Sequence, residues 1–445
     1  MVKNLVIGFA SGIIFNFQLF GQAPEQVDNK FSLSAQLRPR FEVRGGAFRP
    51  LNEGEKPAAL VSERTRLSLD YSYKDLLSIR IAPQSVWIWG QGNMVQGAES
   101  NGNQFSLFEA WANLRLSELW NVKIGRQVIS LDDERFFGEL DWAQGGRVHD
   151  AASIHFGKDK IGVKGFFAFN QNYKTLYANN LNNPSGNLYS TADAFPYKSM
   201  QALWASYRFN EKSKISFLAT NLGLQNAIAA TADTIVNNMQ TLGANYFFTG
   251  KKLTATLSAY YQFGKNIAGI QTQAYLLAAY GTYNFTNRWN LGLGTDWVSG
   301  NDLGKYQSGN NAFNPFFHTG HKFYGNMDYY YVGNGHKSVG LSDNYLRLGY
   351  KTGQGNTVNL GFHQFFTPNT VATSQMEYSK NLGQEADLSF ACKVNPFTNI
   401  TGGYSFYLNT PTVNFLKNTP TGKDYQQWFW LSLNVSPTIF KAKFQ

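Results

Sequence analysis

Cys392 is the only cysteine of this 445-residue chain, so no disulfide can form within it. Past residue 21 no apolar run is long enough to span a bilayer as a helix, and the mean hydropathy is negative, which excludes a helical membrane protein. Long Ala/Glu/Leu/Lys stretches are missing too, and extended helices with them. Charged residues (15%) are slightly fewer than aromatic ones (16%), and glycine fills 42 positions, a mix suited to strands, tight turns and interfacial aromatic belts. No G-x-S-x-G, H-E-x-x-H or phosphate loop is present. His149, Asp150 and Ser153 do not make a hydrolase site, because adjacent strand residues point to opposite faces. His318, His321 and His336 share an irregular segment without the fixed geometry zinc needs. No enzyme, metal or cofactor is expected. The formal net charge is +10, but the basic residues are spread through the chain rather than clustered with aromatics, which argues against nucleic acid.

What the chain does contain begins with an address. Lys3 precedes an apolar stretch from Leu5 to Phe20, softened by Ser11, Asn16 and Gln18, and Gly21, Gln22 and Ala23 follow. This reads as a cleaved secretory signal over residues 1–22, followed by one domain over 23–445. A short membrane anchor is disfavoured by the length and by the strand pattern that starts within ten residues. No cysteine follows the signal, so it is not a lipoprotein signal.

From 31 to 44 the side chains alternate. Phe31, Leu33, Ala35, Leu37, Phe41 and Val43 share one face, and Ser32, Ser34, Gln36, Arg38, Arg40, Glu42 and Arg44 share the other. Such a length exceeds the usual five or six residues of a soluble strand and suits a tilted barrel strand with lipid outside and a polar lumen inside. The period returns at 62–74, 253–263 and 385–394; in the last, Ala386, Leu388, Phe390 and Cys392 face out. Comparable segments predict about 18 strands. They are 31–44, 62–74, 77–89, 105–116, 120–131, 146–156, 161–170, 200–210, 214–222, 239–248, 252–263, 271–284, 288–298, 342–351, 356–366, 384–394, 399–408 and 426–435. The connections then alternate long and short, as in 45–61 then 75–76, 90–104 then 117–119, and 132–145 then 157–160. Short periplasmic turns and long external loops, with both termini in the periplasm, make this an all-β, closed antiparallel transmembrane barrel of a Gram-negative outer membrane. Pro39 and Pro83 lie inside predicted strands, so each needs a bulge or a rim position, and Pro437 interrupts the last segment.

With polar faces inward, the lumen collects Arg38, Arg40, Arg44, Arg64, Arg66, Arg80, Arg115, Lys123, Arg208, Arg347 and Lys351. Fewer acids oppose them: Glu42, Asp70, Glu109, Glu385 and Asp387. Guanidinium groups bind carboxylates in bidentate fashion and stay charged, and a low-dielectric wall focuses their field. Pairing with the acids accounts for some of them; the net charge favours anion attraction for the rest. Between strands carrying Arg126 and Arg147 lies a loop with Asp132, Asp133, Glu134, Arg135, Glu139 and Asp141. It either folds toward the mouth as a constriction or stays solvated outside, held by Arg–Asp pairs, and spacing alone leans slightly to the second.

Residues 125–156 carry Gly125-Arg126-Gln127, the acidic loop, Trp142-Ala143-Gln144, Gly146-Arg147 and Asp150-Ala151. In these motifs, with SERTRLSL at 62–69 and GQEADLS at 383–389, the chain resembles the alginate export porin family over most of its length, most strongly from 31 to 170. The resemblance implies an 18-stranded barrel with a basic constriction that passes a uronate polymer, and it carries pore arginines onto Arg40, Arg66, Arg126, Arg147 and Arg347. The middle third, 171–340, matches only in general character. For Arg126 the resemblance conflicts with alternation, which groups it with Trp120, Val122 and Ile124 on the lipid side. An inward Arg126 requires a bulge at Gly125; otherwise it must lie above the hydrocarbon, since a guanidinium at the bilayer midplane costs about 2–4 kcal/mol. The expected function is a monomeric, passive anion channel for an acidic polysaccharide or a small anion, in contact with outer-membrane lipid and with periplasmic export partners. The alternatives are a general diffusion porin and a surface adhesion or assembly barrel whose loops, 171–199 and 299–341, bind a partner. A barrel enzyme is disfavoured because no nucleophile and base share a face near a rim.

Overall fold

The alternating segments become the wall of one barrel. A computed structural model of the chain describes residues 29–90, 104–170, 197–226, 235–305, 308–332, 335–353 and 355–444; the signal assigned to 1–22 and most of the 171–199 loop lie outside them. The strands are β1 (Asn29–Gly45), β2 (Ala58–Tyr73), β3 (Leu77–Ile88), β4 (Gln104–Arg115), β5 (Trp120–Gln127), β6 (His149–Lys158) and β7 (Ile161–Phe169). They continue as β8 (Ser199–Asn210), β9 (Ser213–Gln225), β10 (Val236–Thr249), β11 (Leu253–Lys265), β12 (Gln271–Asn284), β13 (Trp289–Val298), β14 (Leu341–Lys351) and β15 (Thr357–Phe366). A small hairpin, β16 (Val371–Ala372) and β17 (Glu377–Tyr378), precedes β18 (Asn381–Asn395) and β19 (Thr398–Leu408). The helix α1 (Pro411–Lys417) then leads to β20 (Tyr425–Val435) and β21 (Thr438–Phe444).

Each barrel strand pairs antiparallel with its chain neighbours, and β1 closes the ring by pairing with β2 on one side and with β20 and β21 on the other. Since β20 and β21 are two halves of one closing strand, the wall has the expected 18 strands. All the predicted segments are there, with ends displaced by a few residues. Two ends differ for a shared reason: β5 stops at Gln127 and β6 starts at His149, because the residues between them leave the wall and turn inward.

The prolines resolve in different ways. At Pro83 the β3–β4 register shifts and Phe108 becomes an extra residue on β4, the expected bulge. Pro39 needs none: its register with Glu63 on β2 is unbroken, and the ladder to β20 lapses locally between Leu37 and Arg40. The chain runs on past Pro437, whose carbonyl accepts from Ala35 N at 3.1 Å, and β21 completes the seam beside β1.

Outward positions carry exposed apolar side chains such as Leu67, Ile124, Phe167, Leu242, Leu277, Leu360 and Leu431, a surface that only lipid covers without cost. At the periplasmic ends of neighbouring strands aromatic rings meet, Trp120 with Phe156 at 4.9 Å and Trp289 with Tyr350 at 4.6 Å, as in an interfacial girdle. The inward faces are not polar throughout. Met200, Leu218, Leu222, Ala274, Leu276, Val298 and Leu341 are buried there, under segments folded into the lumen.

This wall predicts an asymmetric response to charge. Leu277→Lys, outward at mid-strand, should cost about 2–4 kcal/mol in a denaturant titration of bilayer folding, whereas Thr282→Lys on the inner face of the same strand should cost well under half of that.

Candidate functional site

Two segments occupy the middle of the lumen: residues 128–148, between β5 and β6, and the described residues of 299–340, between β13 and β14. Hence the solvated-loop reading of the acidic stretch is overturned. The reason is apolar: Ile129, Leu131, Phe136 and Phe137 are nearly fully buried, and Phe137 stacks on Phe317 of the second segment at 5.0 Å. Backbone pairing joins the two segments, Gly138 N donating to Phe317 O at 2.8 Å and Thr319 N to Glu134 O at 3.1 Å.

Polar contacts then seat the first segment against the wall. Asp132, with left-handed backbone, accepts from Ser216 Oγ on β9 at 2.6 Å, Trp204 Nε1 on β8 at 2.9 Å and Asn245 Nδ2 on β10 at 3.1 Å. Asp133 holds Arg135 at 2.8 Å, and Arg135 reaches on to the buried Asp296 of β13. Glu134 meets Lys322 of the second segment at 3.3 Å. On the far side Asp141 bridges Arg38 of β1 at 3.0 Å and Arg64 of β2 at 2.8 Å. Burial alone would raise the Asp141 carboxyl, but the facing Arg38 and Arg64 hold it below its ordinary value. The neighbouring Trp142 indole meets the Arg40 guanidinium at 4.0 Å and the His321 ring at 3.9 Å, so one residue ties wall, first segment and second segment together.

The arginines picked out from the sequence divide accordingly. Arg38 and Arg64 are spoken for by Asp141; Arg40 is paired with Glu42 at 3.0 Å; Arg80 with Asp70 at 2.7 Å and Glu109 at 3.1 Å. Arg115 and Arg208 share the inward parity of their strands but sit at the periplasmic ends, Arg115 at 3.6 Å from Asp75 and Arg208 exposed. Arg66, Arg147 and Arg347 have no carboxylate within 4.0 Å among the described residues. Arg66 lies 3.4 Å over Phe108, the bulge residue, and bonds Gln84 at 2.8 Å. Arg147 donates to His318 O at 2.7 Å, and burial lowers it to about 10, which leaves it charged at neutral pH. Gly146, beside Arg147, abuts Phe108 and lies near the Arg66 guanidinium, bringing the two cations into one region. Among the described residues Arg347 bonds only Lys322 O, at 3.4 Å.

Arg126 is a correction. It stands on the outer face near the extracellular end of β5, in the parity of Ile124, with a bidentate pair to Asp150 on β6 at 2.8 Å. Gly125 has a positive φ of 121°, but the β4–β5 register continues through it, so the chain does not change face there and alternation was the better guide.

Sequence reasoning passed over Lys164 and Lys214. Both are inward cations over the Trp204 ring, at 5.2 and 5.7 Å, and the alternation of β7 and β9 signals them. It named Trp142 in a family motif and His321 among irregularly placed histidines but did not bring the two together, since no local pattern signals their contact. Among the described residues no group of three or more His, Cys, Asp or Glu could hold a metal ion.

With this geometry in place, comparison with known proteins is informative. A family model described as alginate export matches residues 29–409. No curated protein matches the chain. Among solved structures, the barrel is similar to Acinetobacter baumannii OccAB1 (TM-score 0.61, 13% identity, covering 92% of this chain and 97% of that one). It is also similar to Pseudomonas aeruginosa OccK5 (TM-score 0.58, 12% identity, covering 94% of this chain and 99% of that one). At that identity the likeness speaks for fold. Family and fold together place the chain in the outer membrane of a Gram-negative bacterium as a porin-type channel.

The seating of the first segment should depend on pH with a definite sign. A depressed Asp141 stabilises the inward position above the ordinary carboxylate value and loses that contribution only as pH falls through its own lower value. Single-channel current should therefore stay quiet down to about pH 4 and become noisy below it. Asp141→Asn should be noisy already at neutral pH.

Proposed function

Because the chain belongs to the alginate export family, we propose that it is a passive, anion-preferring channel whose cargo is an acidic polysaccharide of the uronate type. The observation that supports this most is the pair Arg66 and Arg147. Both guanidinium groups lie inside the barrel, beside the inward segment, with no carboxylate within 4.0 Å among the described residues. Asp132, Asp133, Glu134 and Asp141 of the segment are engaged with other partners, while Glu139, near Arg64 and Arg66, offsets part of the positive field at this point. A uronate polymer presents one carboxylate per ring, and a planar guanidinium donates two parallel hydrogen bonds to it. Lys123, Lys164 and Lys214 extend the positive wall along β5, β7 and β9, their ammonium groups backed by Trp111 and Trp204. The channel performs no catalysis in this reading and works as a monomer, each closed barrel enclosing its own lumen. Periplasmic partners would deliver the polymer to its lower mouth.

Reading the cargo as a small carboxylate has one specific support: a structural neighbour, Pseudomonas aeruginosa OpdK, was solved with vanillate. Planar-bilayer recording separates the two. Uronate oligomers should block the current at roughly tenfold lower concentration than neutral oligomers of equal length, a difference of about 1.4 kcal/mol. Arg66→Gln and Arg147→Gln should each weaken that block by about tenfold and move the anion-to-cation permeability ratio toward one. Block by vanillate but not by the oligomers would favour the small solute. An unchanged anion preference in both variants would remove the selectivity, and wild-type protein without conductance would remove the channel.

A further inference from the structure

We propose that the extracellular end of the lumen holds a second saccharide subsite, which recognises the hydroxyls and ring faces of pyranose units rather than their charge. It rests on the polysaccharide reading and is separate from the arginine region. A cavity of about 660 Å³ lies between the upper ends of β9 and β10, the turn after β11, and the second inward segment. That is the size range of ordinary ligand pockets.

Its chemistry differs from that of the arginine region. No arginine and no carboxylate is among the described residues lining it, and Lys337 supplies its charge. The walls combine rings and carboxamides, notably Phe313, Phe316, Tyr331, Asn266 and Asn314.

One carboxamide is oriented and the other is carried on a fixed stretch of backbone, and both keep donors to spare. Gln262 of β11 clamps the Asn314 backbone from both sides, donating to its carbonyl at 2.7 Å and accepting from its N–H at 2.8 Å. The Asn314 side chain is exposed and has no hydrogen bond among the described residues. Asn266 Oδ1 accepts from Ala268 N and Ile270 N, both at 3.0 Å, which orients the amide and leaves Nδ2 without a partner among the described residues. Buried His336 adds an Nε2 that likewise lacks a partner.

The oriented Asn266 amide and the available Asn314 amide beside ring faces fit a pyranose, whose equatorial hydroxyls need directional partners and whose C–H face packs on an aromatic. The exposed ammonium of Lys337, 4.0 Å over Phe415, is placed to meet one carboxylate at the rim. A polymer seated here is held by contacts that do not depend on its charge density, so the lumen grips acidic rings in its middle and any compatible ring at its outer end.

One-sided addition of a uronate tetramer and of a neutral hexose tetramer to oriented channels tests this. From the extracellular side both should give resolvable blocks. Asn314→Leu and Asn266→Asp should each shorten them about three- to tenfold for both sugars, the factor expected for a lost hydrogen bond. Asn266→Asp keeps the turn's acceptor, and its effect on the neutral sugar is free of charge repulsion. Lys337→Ala should shorten the uronate block alone, and Arg66→Gln should leave the neutral block unchanged. Unchanged open-channel current in the Asn314 and Asn266 variants reports a folded pore. Extracellular dwell times equal to wild type in the double variant Asn314→Leu/Asn266→Asp would overturn the subsite, while periplasmic-side uronate block would keep the channel function standing. If neither sugar blocks wild-type channels from either side, both fall.

Discussion

The ties at Asp141 and Trp142 decide what kind of lumen this barrel has. Asp141 neutralises Arg38 and Arg64, and Trp142 lies between Arg40 and His321. Without them the segment between β5 and β6 would leave Arg64, 1% exposed in its side chain, as an unpaired charge under cover, a situation that costs several kcal/mol. With them the same arginines become fasteners. A wall residue that looks like part of an anion path is spent on holding the partition that shapes the path.

This bookkeeping changes how positive charge inside the barrel should be counted. In a low-dielectric interior a paired guanidinium contributes little field at a distance, whereas one satisfied by neutral acceptors contributes nearly all of its charge. Arg38, Arg64 and Arg80 are of the first kind; Arg66, bonded to Gln84, and Arg147, bonded to a carbonyl, are of the second. Aromatic backing keeps such cations in place without cancelling them. Phe108 under Arg66 and Trp111 under Lys123 do so, and Phe108 can because the bulge forced by Pro83 turns it inward.

The barrel was legible because lipid imposes one rule on every strand, outward apolar and inward polar at a period of two, and the rhythm of long and short connections repeats it independently. Even Arg126, where family resemblance pointed inward, obeyed that rule, with Asp150 as its outer-face partner. What stayed illegible lies off the wall. Residues 128–148 and 299–340 have no period, and their burial comes from contacts such as Phe137 with Phe317 and Trp142 with His321, between residues far apart in the chain. An acidic loop rich in Asp and Arg looks the same in sequence whether its partners are water or a barrel wall. Phe136, Phe137, Leu140 and Trp142 within it hinted at burial, but a few apolar residues are common on external loops.

The two inward segments also explain why the inner face departs from polarity on one side. Where β8, β9, β12 and β13 carry Ala202, Leu222, Leu276 and Val298, the lumen is occupied by protein rather than water, and the strands there are buried on that face as in a soluble core. Where β1 to β5 carry Arg38, Arg66, Arg80 and Lys123, the face stays polar and partly open. The inner face therefore differs between the two arcs of the wall. Arg66 on the wall and Arg147 on the inward segment, guanidinium groups without a carboxylate within 4.0 Å among the described residues, are set on two facing elements rather than in a ring of charge around the barrel.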